Sequence, residues 1–274
     1  MTDDGGRSLG FAAQVSIPEG YERFMLRQLF EPWAAELLAR AGIGPGDHVL
    51  DVASGLGPVA RLAAEAAGPG GRVVASDISA AMLALAAARP ADPGWAPIEY
   101  LECPASAITA RDDSFDAVLC QHGLQFFPDR AAAAGEMRRV ARPGAILALS
   151  TWAAEHPLGL FGPVNDTLRE AGLAEPFPRA FDPDSYRVSV ADLQELLQTA
   201  GLRDVRVETV ILDARWQTAE AATATLLGMP FGPLLSALPA DAQAQIRAHL
   251  ASKLSGSADG VTVRTASNIA CGVK

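Results

Sequence analysis

Val49 to Ala60 reads Val-Leu-Asp-Val-Ala-Ser-Gly-Leu-Gly-Pro-Val-Ala, and this stretch decides the fold that the sequence predicts. Apolar residues surround an acid, two glycines follow, and an alanine-rich segment comes next, which predicts a strand, a tight turn and a helix. Gly55 and Gly57 lack a Cβ, so the backbone can turn sharply and a ligand can approach it closely. The first amides of the following helix favour an anionic group. The stretch therefore predicts a ligand-binding turn at the end of a strand.

The same stretch fits two nucleotide-binding patterns, and a plain turn is the third interpretation. Gly55 to Ala60 fits G-x-G-x-x-G/A, the dinucleotide-binding fingerprint. The stretch also fits D-x-x-x-G-x-G, the first motif of class I S-adenosylmethionine-dependent methyltransferases. Asp51 favours the second pattern, because a strand that binds a nicotinamide nucleotide usually ends with apolar residues. An acid at this position is placed to pair with the ammonium group of the cofactor, directly or through water.

The composition limits the kinds of partner that this chain of 274 residues is expected to have. Its formal net charge is −10 at pH 7, and its pI is about 4.9. This charge argues against nucleic acid and anionic membrane surfaces as partners, because both attract basic faces. A hydrophobic content of 49% is sufficient for a sizeable core. We therefore expect a small-molecule substrate, with no nucleic-acid partner and no membrane partner.

Neither a disulfide framework nor a metal site is expected from the sequence. The three cysteines form no C-x-x-C pair: Cys103, Cys120 and Cys271. The first ten residues include acids and no apolar core, and no apolar run is long enough to cross a membrane. These features predict a cytoplasmic protein without a bound metal, which acts as a monomer or a homodimer.

Short apolar runs that alternate with helical patterns predict the core of the fold. Five runs have the length and composition of strands: His48 to Ala53, Arg72 to Asp77, Ile98 to Cys103, Ser114 to Cys120 and Ala145 to Trp152. Arg142-Pro143-Gly144 is expected to separate a helix from the fifth of these strands. Strands and helices in this order predict an α/β fold, a Rossmann-like doubly wound parallel sheet. Ligands of such sheets bind outside the carboxyl ends of the strands.

Residues at the end of the second strand are candidates for contacts to a nucleoside. Asp77 follows Gly57 by twenty residues, and an acid at this distance can accept both hydroxyls of a ribose. Ile78 and Met82 are placed to flank an adenine. The alternative functions are structural: Asp77 as a helix N-cap, although Ser79 already offers one, and Met82 as a core residue.

Two segments outside the core complete the predicted organisation. Residues 1–45 are expected to form a helical cap segment, residues 46–152 the cofactor-binding core, and residues 153–274 a substrate-binding insert with the last strands of the same domain. In the cap segment, Tyr21 and Phe24 precede the glycine turn and are candidates to close over a ligand.

The insert itself is predicted to be a long loop that works as a lid or binding segment. Glu155 to Arg187 interrupts the alternation of strands and helices and carries several prolines and aromatic residues. Phe161 and Phe181 are therefore candidates for contacts to a substrate. His156, at the start of the insert, is a further candidate. The alternative is a peripheral flap with a small core of its own.

Residues 48 to 150 resemble the Methyltransf_11 type of class I methyltransferase domain, close to the ubiquinone/menaquinone-biosynthesis C-methyltransferases. The resemblance rests on separated motifs: Asp51 to Gly57, Asp77-Ile78-Ser79-Ala80-Ala81-Met82-Leu83, Asp113-Ser114-Phe115-Asp116-Ala117-Val118, and Glu136-Met137-Arg138-Arg139-Val140-Ala141-Arg142-Pro143-Gly144. It implies S-adenosyl-L-methionine as the cofactor. It also implies a seven-stranded sheet whose last strand is antiparallel and lies between strands five and six, with helical cap and insert segments.

The resemblance and the predicted sheet edge together indicate a set of cofactor-binding residues: Tyr21, Asp51, Ala53, Ser54, Gly55, Gly57, Asp77, Ile78, Met82, Pro104, Ala105, Ser106 and Gln121. Two positions depart from the family. Family members often have Gly-Asp-Ala after strand three, where the acid holds the adenine amino group, whereas this chain has Cys103-Pro104-Ala105. The adenine is then expected to be recognised by the backbone and by Ser106. The first motif also has Ala53-Ser54 where the family usually has Gly or Cys.

His122 follows strand four beside the expected cofactor, so it is the candidate catalytic base. Binding the substrate by a hydrogen bond, or packing alone, are the alternatives for this residue. The resulting hypothesis is methyl transfer from S-adenosylmethionine to O, N or C of a small aromatic or apolar metabolite, with a role in secondary metabolism. One alternative is a cyclase or isomerase on the same scaffold, and another is an NAD-dependent oxidoreductase.

Overall fold

One mixed sheet organises the part of the chain that the structure, a computed structural model, describes: residues 26–156, 162–172, 187–228, 235, 236, 238–254 and 260–274. The strands are β1 His48–Val52, β2 Arg72–Asp77, β3 Ile98–Glu102, β4 Phe115–Gln121, β5 Ala141–Ala153, β6 Arg187–Val188, β7 Arg203–Trp216 and β8 Val261–Val273. Seven of them follow the order β3-β2-β1-β4-β5-β8-β7, and β6 pairs with the end of β5.

The topology confirms the predicted fold class. The pairs formed among β1 to β5 are parallel, and β8 runs antiparallel to both of its neighbours, β5 and β7. The last strand, β8, therefore lies between β5 and β7. This is the place that the resemblance implied, because β7 is the sixth strand once the short β6 is left out. The sequence did not predict β6, because a strand of two residues carries no readable pattern.

Helices cover both faces of the sheet. A π-helical turn, Leu26–Phe30, leads into the first of them, and the helices are α1 Glu31–Ala41, α2 Pro58–Ala67, α3 Ala80–Ala88, α4 Arg130–Val140, α5 Gly162–Glu170, α6 Val190–Thr199, α7 Ala219–Gly228 and α8 Ala240–Leu254. One core forms where α1, α2, α5, α7 and α8 pack on the sheet, and a second where α4 and α6 cover the opposite face. No helix in the described ranges has the length and apolar character needed to cross a membrane.

Three helices begin at side chains that cap them, and Ser79 is the cap named from the sequence above. Ser79 accepts a hydrogen bond from the amide of Met82, and Asp129 accepts one from Ala132, at 3.4 and 2.8 Å. Ser189 starts α6 in the same way. Caps are readable from sequence because donor and acceptor are only three residues apart.

The start of β5 corrects the prediction that Arg142-Pro143-Gly144 would precede the strand. The strand begins at Ala141, which pairs with Phe115 of β4, and Ile146 then pairs with Ala117. The extra residues of β5 form a bulge, in which a proline without an N–H and a glycine with φ of 84° are tolerated. The Pro-Gly pair at positions 143 and 144 thus marks a bulge inside the strand and not the start of the strand.

The insert also differs from the predicted loop. Residues 162–170 form α5, and Val164 and Leu168 of this helix join the core with α8. The insert is therefore packed onto the domain in this part.

Candidate cofactor and acceptor site

The turn after β1 has the backbone conformation that its glycines suggested. Gly55 and Gly57 have φ of 54° and 75°, and Ala53 has φ of 56°. A Cβ placed on Gly55 would meet no atom of the described residues within 4 Å, so among these residues the turn borders open space. The left-handed conformation of Ala53 gives a physical reason for the glycine that relatives often have here, since an L-residue is strained in it.

Asp51 is buried beneath this turn. It is 1% exposed, and its Oδ2 accepts a hydrogen bond from the amide of Ala60 in the first turn of α2, at 3.0 Å. Burial raises the pKa of the carboxyl well above its ordinary value, and the charge of Asp77 adds to the effect. The acid therefore fixes α2 against β1, and the desolvated carboxylate favours a cation nearby.

Asp77 joins the two turns at the ends of β1 and β2. Its Oδ2 accepts from the amide of Gly55 and its Oδ1 from the amide of Ser79, both at 2.9 Å. Burial raises the pKa of this carboxyl, and the backbone hydrogen bonds oppose the shift. Next to it, Ile78 is 42% exposed, whereas Met82 is buried against Leu26 and Leu56. The carboxylate is thus held in place before any ligand binds.

The segment after β3 offers neutral groups only. Cys103 is buried, and its amide donates to the carbonyl of Asp77 at 3.1 Å. The amide of Ala107 donates to the carbonyl of Pro104 and closes a turn, in which Pro104 and Ser106 are exposed and Ala105 is half-buried. The hydroxyl of Ser106 and the backbone are therefore the polar groups available here.

The end of β4 touches the end of β1. A Cβ on Gly123 would lie 2.6 Å from the Cβ of Ala53 and 3.0 Å from the Sγ of Cys120, so only glycine fits. Gln121 lies just before this contact, and its Nε2 donates to the carbonyl of Phe30 at 3.0 Å. The requirement for glycine at position 123 cannot be read from the sequence, because a close approach between distant residues leaves no local pattern.

His122 has a strained backbone and a buried ring. Its φ is 51°, and its ring stacks on Trp152 with centroids 4.0 Å apart and packs edge-on against Trp33. The Nε2 lies 2.8 Å from the hydroxyl oxygen of Ser267 on β8. Burial lowers the pKa of the imidazole to about 3, so the ring is neutral at neutral pH. Its Nδ1 is buried and has no hydrogen-bond partner among the residues described.

Of the other residues predicted to contact the ligands from the cap and the insert, the structure describes His156 only. His156 is half-buried, and its carbonyl accepts a hydrogen bond from Arg187 at 3.1 Å. Tyr21, Phe24, Phe161 and Phe181 lie outside the described residues.

Sequence reasoning missed three polar residues that surround His122 and Trp152. These are Gln125, Ser150 and Ser267, each at most 4% exposed. Gln125 lies in the 3-10 turn Leu124–Phe126, Ser150 in β5 and Ser267 in β8. None of them belongs to a recognisable motif. Only their polarity inside otherwise apolar strands could have indicated them.

Comparisons with known proteins agree with this arrangement. Residues 50–149 match the Methyltransf_11 family, described as a methyltransferase domain. The chain is 34% identical over 188 residues to the ubiquinone/menaquinone biosynthesis C-methyltransferase UbiE of Burkholderia mallei, covering 65% of this chain and 76% of that protein. It is 39% identical over 145 residues to the uncharacterised protein Rv1405c of Mycobacterium tuberculosis. That match covers 53% of this chain, which spans about half the length of this mycobacterial relative.

A solved structure with a similar fold is a phosphoethanolamine N-methyltransferase 2 from Haemonchus contortus, bound to phosphomonomethylethanolamine and S-adenosylhomocysteine. The TM-score is 0.57 at 21% identity, over 95% of this chain and 60% of that one. At this identity the likeness is one of fold.

Proposed function

Because the chain belongs to the class I S-adenosylmethionine-dependent methyltransferases, we propose that it transfers a methyl group from this cofactor to O, N or C of a small aromatic or apolar metabolite. The observation that carries the proposal is Asp77, whose carboxylate is held by the amides of Gly55 and Ser79 beside a turn that borders open space. The buried and unpartnered hydroxyl of Ser54, judged within the described ranges, is a further polar group open to a ligand.

The residues present fit this cofactor, and each has a proposed role in holding it. Asp77 accepts the ribose hydroxyls, and Gly55 and Gly57 allow close approach of the backbone. Asp51 supplies negative charge for the ammonium group, and Ile78 and Met82 flank the adenine. Further contacts are proposed for a second set of residues: Tyr21, Ala53, Ser54, Pro104, Ala105, Ser106 and Gln121.

Alignment is the main contribution expected from the protein. The cofactor supplies a sulfonium methyl with a neutral leaving group, so the barrier depends mostly on how well the acceptor atom is positioned. His122 is proposed to contact the acceptor and receive a hydrogen bond from it. A pKa of about 3 makes the ring a weak base at neutral pH, which favours orientation of the acceptor over full proton removal. Phe24, His156, Phe161 and Phe181 are proposed to contact the rest of the substrate.

A cyclase or isomerase on the same scaffold is the second candidate function. Pro104, which stands where the family often has an acid after strand three, favours it, because weaker adenine recognition is compatible with loss of methyl transfer. Four expectations from the sequence stay predictions: a role in secondary metabolism, the cytoplasmic location, the monomeric or dimeric state and the lack of nucleic-acid partners.

Calorimetric titration with S-adenosylhomocysteine, with NAD as the control ligand, tests the proposal. We expect binding of S-adenosylhomocysteine alone, and a loss in Asp77→Ala of about 100-fold, since hydrogen bonds to a charged group contribute roughly 1.5–3 kcal/mol each. Asp166→Ala, which removes an exposed acid of α5, is the matched control and should bind normally. Binding of NAD alone would contradict the proposal. The mass of the product then separates methyl transfer from isomerisation, which adds nothing.

A further inference from the structure

Four neighbouring side chains at the ends of β4 and β5 carry polar atoms that the protein leaves open. They are Gln121, His122, Gln125 and Ser150, which we call the open polar cluster. The atoms concerned are Gln121 Oε1, His122 Nδ1, Gln125 Nε2 and Ser150 Oγ. Each is buried without a hydrogen-bond partner in the part of the chain that the structure describes. A buried polar group without a partner bears its full desolvation penalty, so a ligand or a water molecule that supplies the missing hydrogen bonds is favoured at these atoms.

The four residues form one patch. Gln121 and Ser150 are register partners on the parallel strands β4 and β5, which places their side chains on the same face of the sheet. The amide of His122 donates to the carbonyl of Ser150 at 2.9 Å. Gln125 reaches the same end of β5, where its Oε1 accepts from the amide of Trp152 at 3.0 Å.

Hydrogen bonds to the backbone fix the side-chain amides of the two glutamines in opposite orientations. Gln121 donates through Nε2 to the carbonyl of Phe30, which can only accept, so its free atom is the acceptor Oε1. Gln125 accepts through Oε1 from the amide of Trp152, which can only donate, so its free atom is the donor Nε2. Backbone partners thus exclude the usual ambiguity of amide orientation. The cluster therefore carries one fixed acceptor and one fixed donor near the ends of β4 and β5.

The patch is also uncharged. Within the described ranges, the hydrogen bonds of these side chains involve two backbone groups and the hydroxyl of Ser267, and no ionised group bonds to them. A carboxylate or ammonium group bound here would lose its hydration without gaining a counter-charge. The rings of Trp33 and Trp152, which pack around His122, add flat apolar surface next to the polar atoms.

We propose that the open polar cluster binds the oxygen-bearing edge of a neutral aromatic acceptor, whose hydroxyl donates to Gln121 and whose second oxygen accepts from Gln125. This inference rests on the proposed methyltransferase function and names the substrate class for it: uncharged compounds with a hydroxyl next to a carbonyl or a second hydroxyl. No ionised group bonds to the cluster within the described ranges, so an ionised acceptor is disfavoured there in the protein without cofactor.

Thermal unfolding of the free protein tests whether the cluster is open. Ser150→Ala removes a hydroxyl that has no partner, so its Tm should equal or exceed that of the parent protein. Thr265→Val is the matched control, because the Thr265 hydroxyl is equally buried but donates to the carbonyl of Leu212 at 3.1 Å. Its Tm should fall. A fall for Ser150→Ala as large as that of the control would show a satisfied hydroxyl and overturn the proposal.

Calorimetric titration with three related probes tests the ligand class. The probes are 2′-hydroxyacetophenone, which is neutral, salicylate, which is anionic, and 2-hydroxybenzylamine, which is cationic. We expect the neutral probe to bind at least about tenfold more tightly than either ion, and Gln121→Leu to weaken it by about tenfold through loss of one hydrogen bond. Equal affinities, tighter binding of an ion, or no binding of the neutral probe at millimolar concentration would overturn the proposal.

Titrations with and without S-adenosylhomocysteine separate this proposal from the proposed function. If the protein binds the neutral probe selectively but does not bind S-adenosylhomocysteine, the proposed cofactor is refuted and the proposed role of the cluster is supported. Binding of S-adenosylhomocysteine without selectivity among the probes would refute the cluster while leaving the methyltransferase function intact.

Discussion

The ends of β1 and β2 and the ends of β4 and β5 lie at the same edge of one sheet, yet they treat their polar groups differently. At the first pair, two acids are tied to backbone amides: Asp51 to Ala60, and Asp77 to Gly55 and Ser79. At the second pair, four uncharged side chains keep an open atom in the described structure. Charged groups need fixed partners when they are buried, whereas neutral groups can be left for a ligand to satisfy.

The difference indicates a division of work between the two regions. The first has a geometry that is set before binding, which suits a ligand common to a whole family. The second has its hydrogen-bonding pattern set by Gln121 and Gln125 but its partners missing, which suits a ligand specific to this chain. The two regions meet where Gly123 touches Ala53.

The largest expected effect comes from breaking that contact. Gly123→Ala places a methyl group 2.6 Å from the Cβ of Ala53, which cannot rotate away, so we expect a loss of about 3 kcal/mol in the free energy of unfolding. Urea denaturation measures it. Gly135→Ala is the control: Gly135 lies in α4, a Cβ there would meet no other described residue within 4 Å, and the variant should be more stable than the parent protein. Equal stability of the two variants would show that the regions do not pack as described.

An intermediate effect is expected from the pH dependence of His122. Its folded pKa of about 3 lies below the ordinary value of 6.5, so the unfolded chain binds a proton first as the pH falls. The stabilisation of the folded state that comes from the neutral His122 ring is therefore complete above pH 6.5. As the pH falls from 6.5 towards 3, this stabilisation is lost by roughly 1.4 kcal/mol per pH unit.

His122→Asn tests this dependence, since asparagine tolerates a positive φ. Between pH 6.5 and 5, the variant should lose about 2 kcal/mol less than the parent protein in urea denaturation. Between pH 7 and 8, where the imidazole is neutral in both states, the difference between the two proteins should stay constant. Parallel curves across the whole range would mean that the ring is not desolvated.

The smallest expected effect has the opposite sign and concerns the first region. The folded pKa of Asp51 is raised by burial, so its ionisation destabilises the fold as the pH rises above the ordinary value of 3.8. Asp51→Asn keeps an acceptor for the Ala60 amide and should be more stable than the parent protein at pH 8, with a gain that shrinks towards zero as the pH falls to about 4. A destabilisation of equal size at both values would contradict this account. Weaker binding of S-adenosylhomocysteine should accompany the gain.

Much of the first region was predictable from the sequence, whereas the second was not. Gly55, Gly57, Asp77 and the Ser79 cap are close in sequence to the strand ends that they serve, and their spacing carries the signal. Ser150 and Ser267 are separated from His122 by 28 and 145 positions, respectively, and they meet it only because β5 pairs with β4 and with β8. No periodicity records such a meeting.

The sequence by itself determined the alternation of strands and helices, the caps, the glycine turn and the family, because each depends on residues within a few positions of one another. Tertiary structure alone decided that β5 begins in a bulge, that Gly123 must be a glycine, and that His122 is buried and neutral. It also decided which amide atoms stay open. Those properties depend on burial and on partners from other strands, which exist only once the sheet has closed around them.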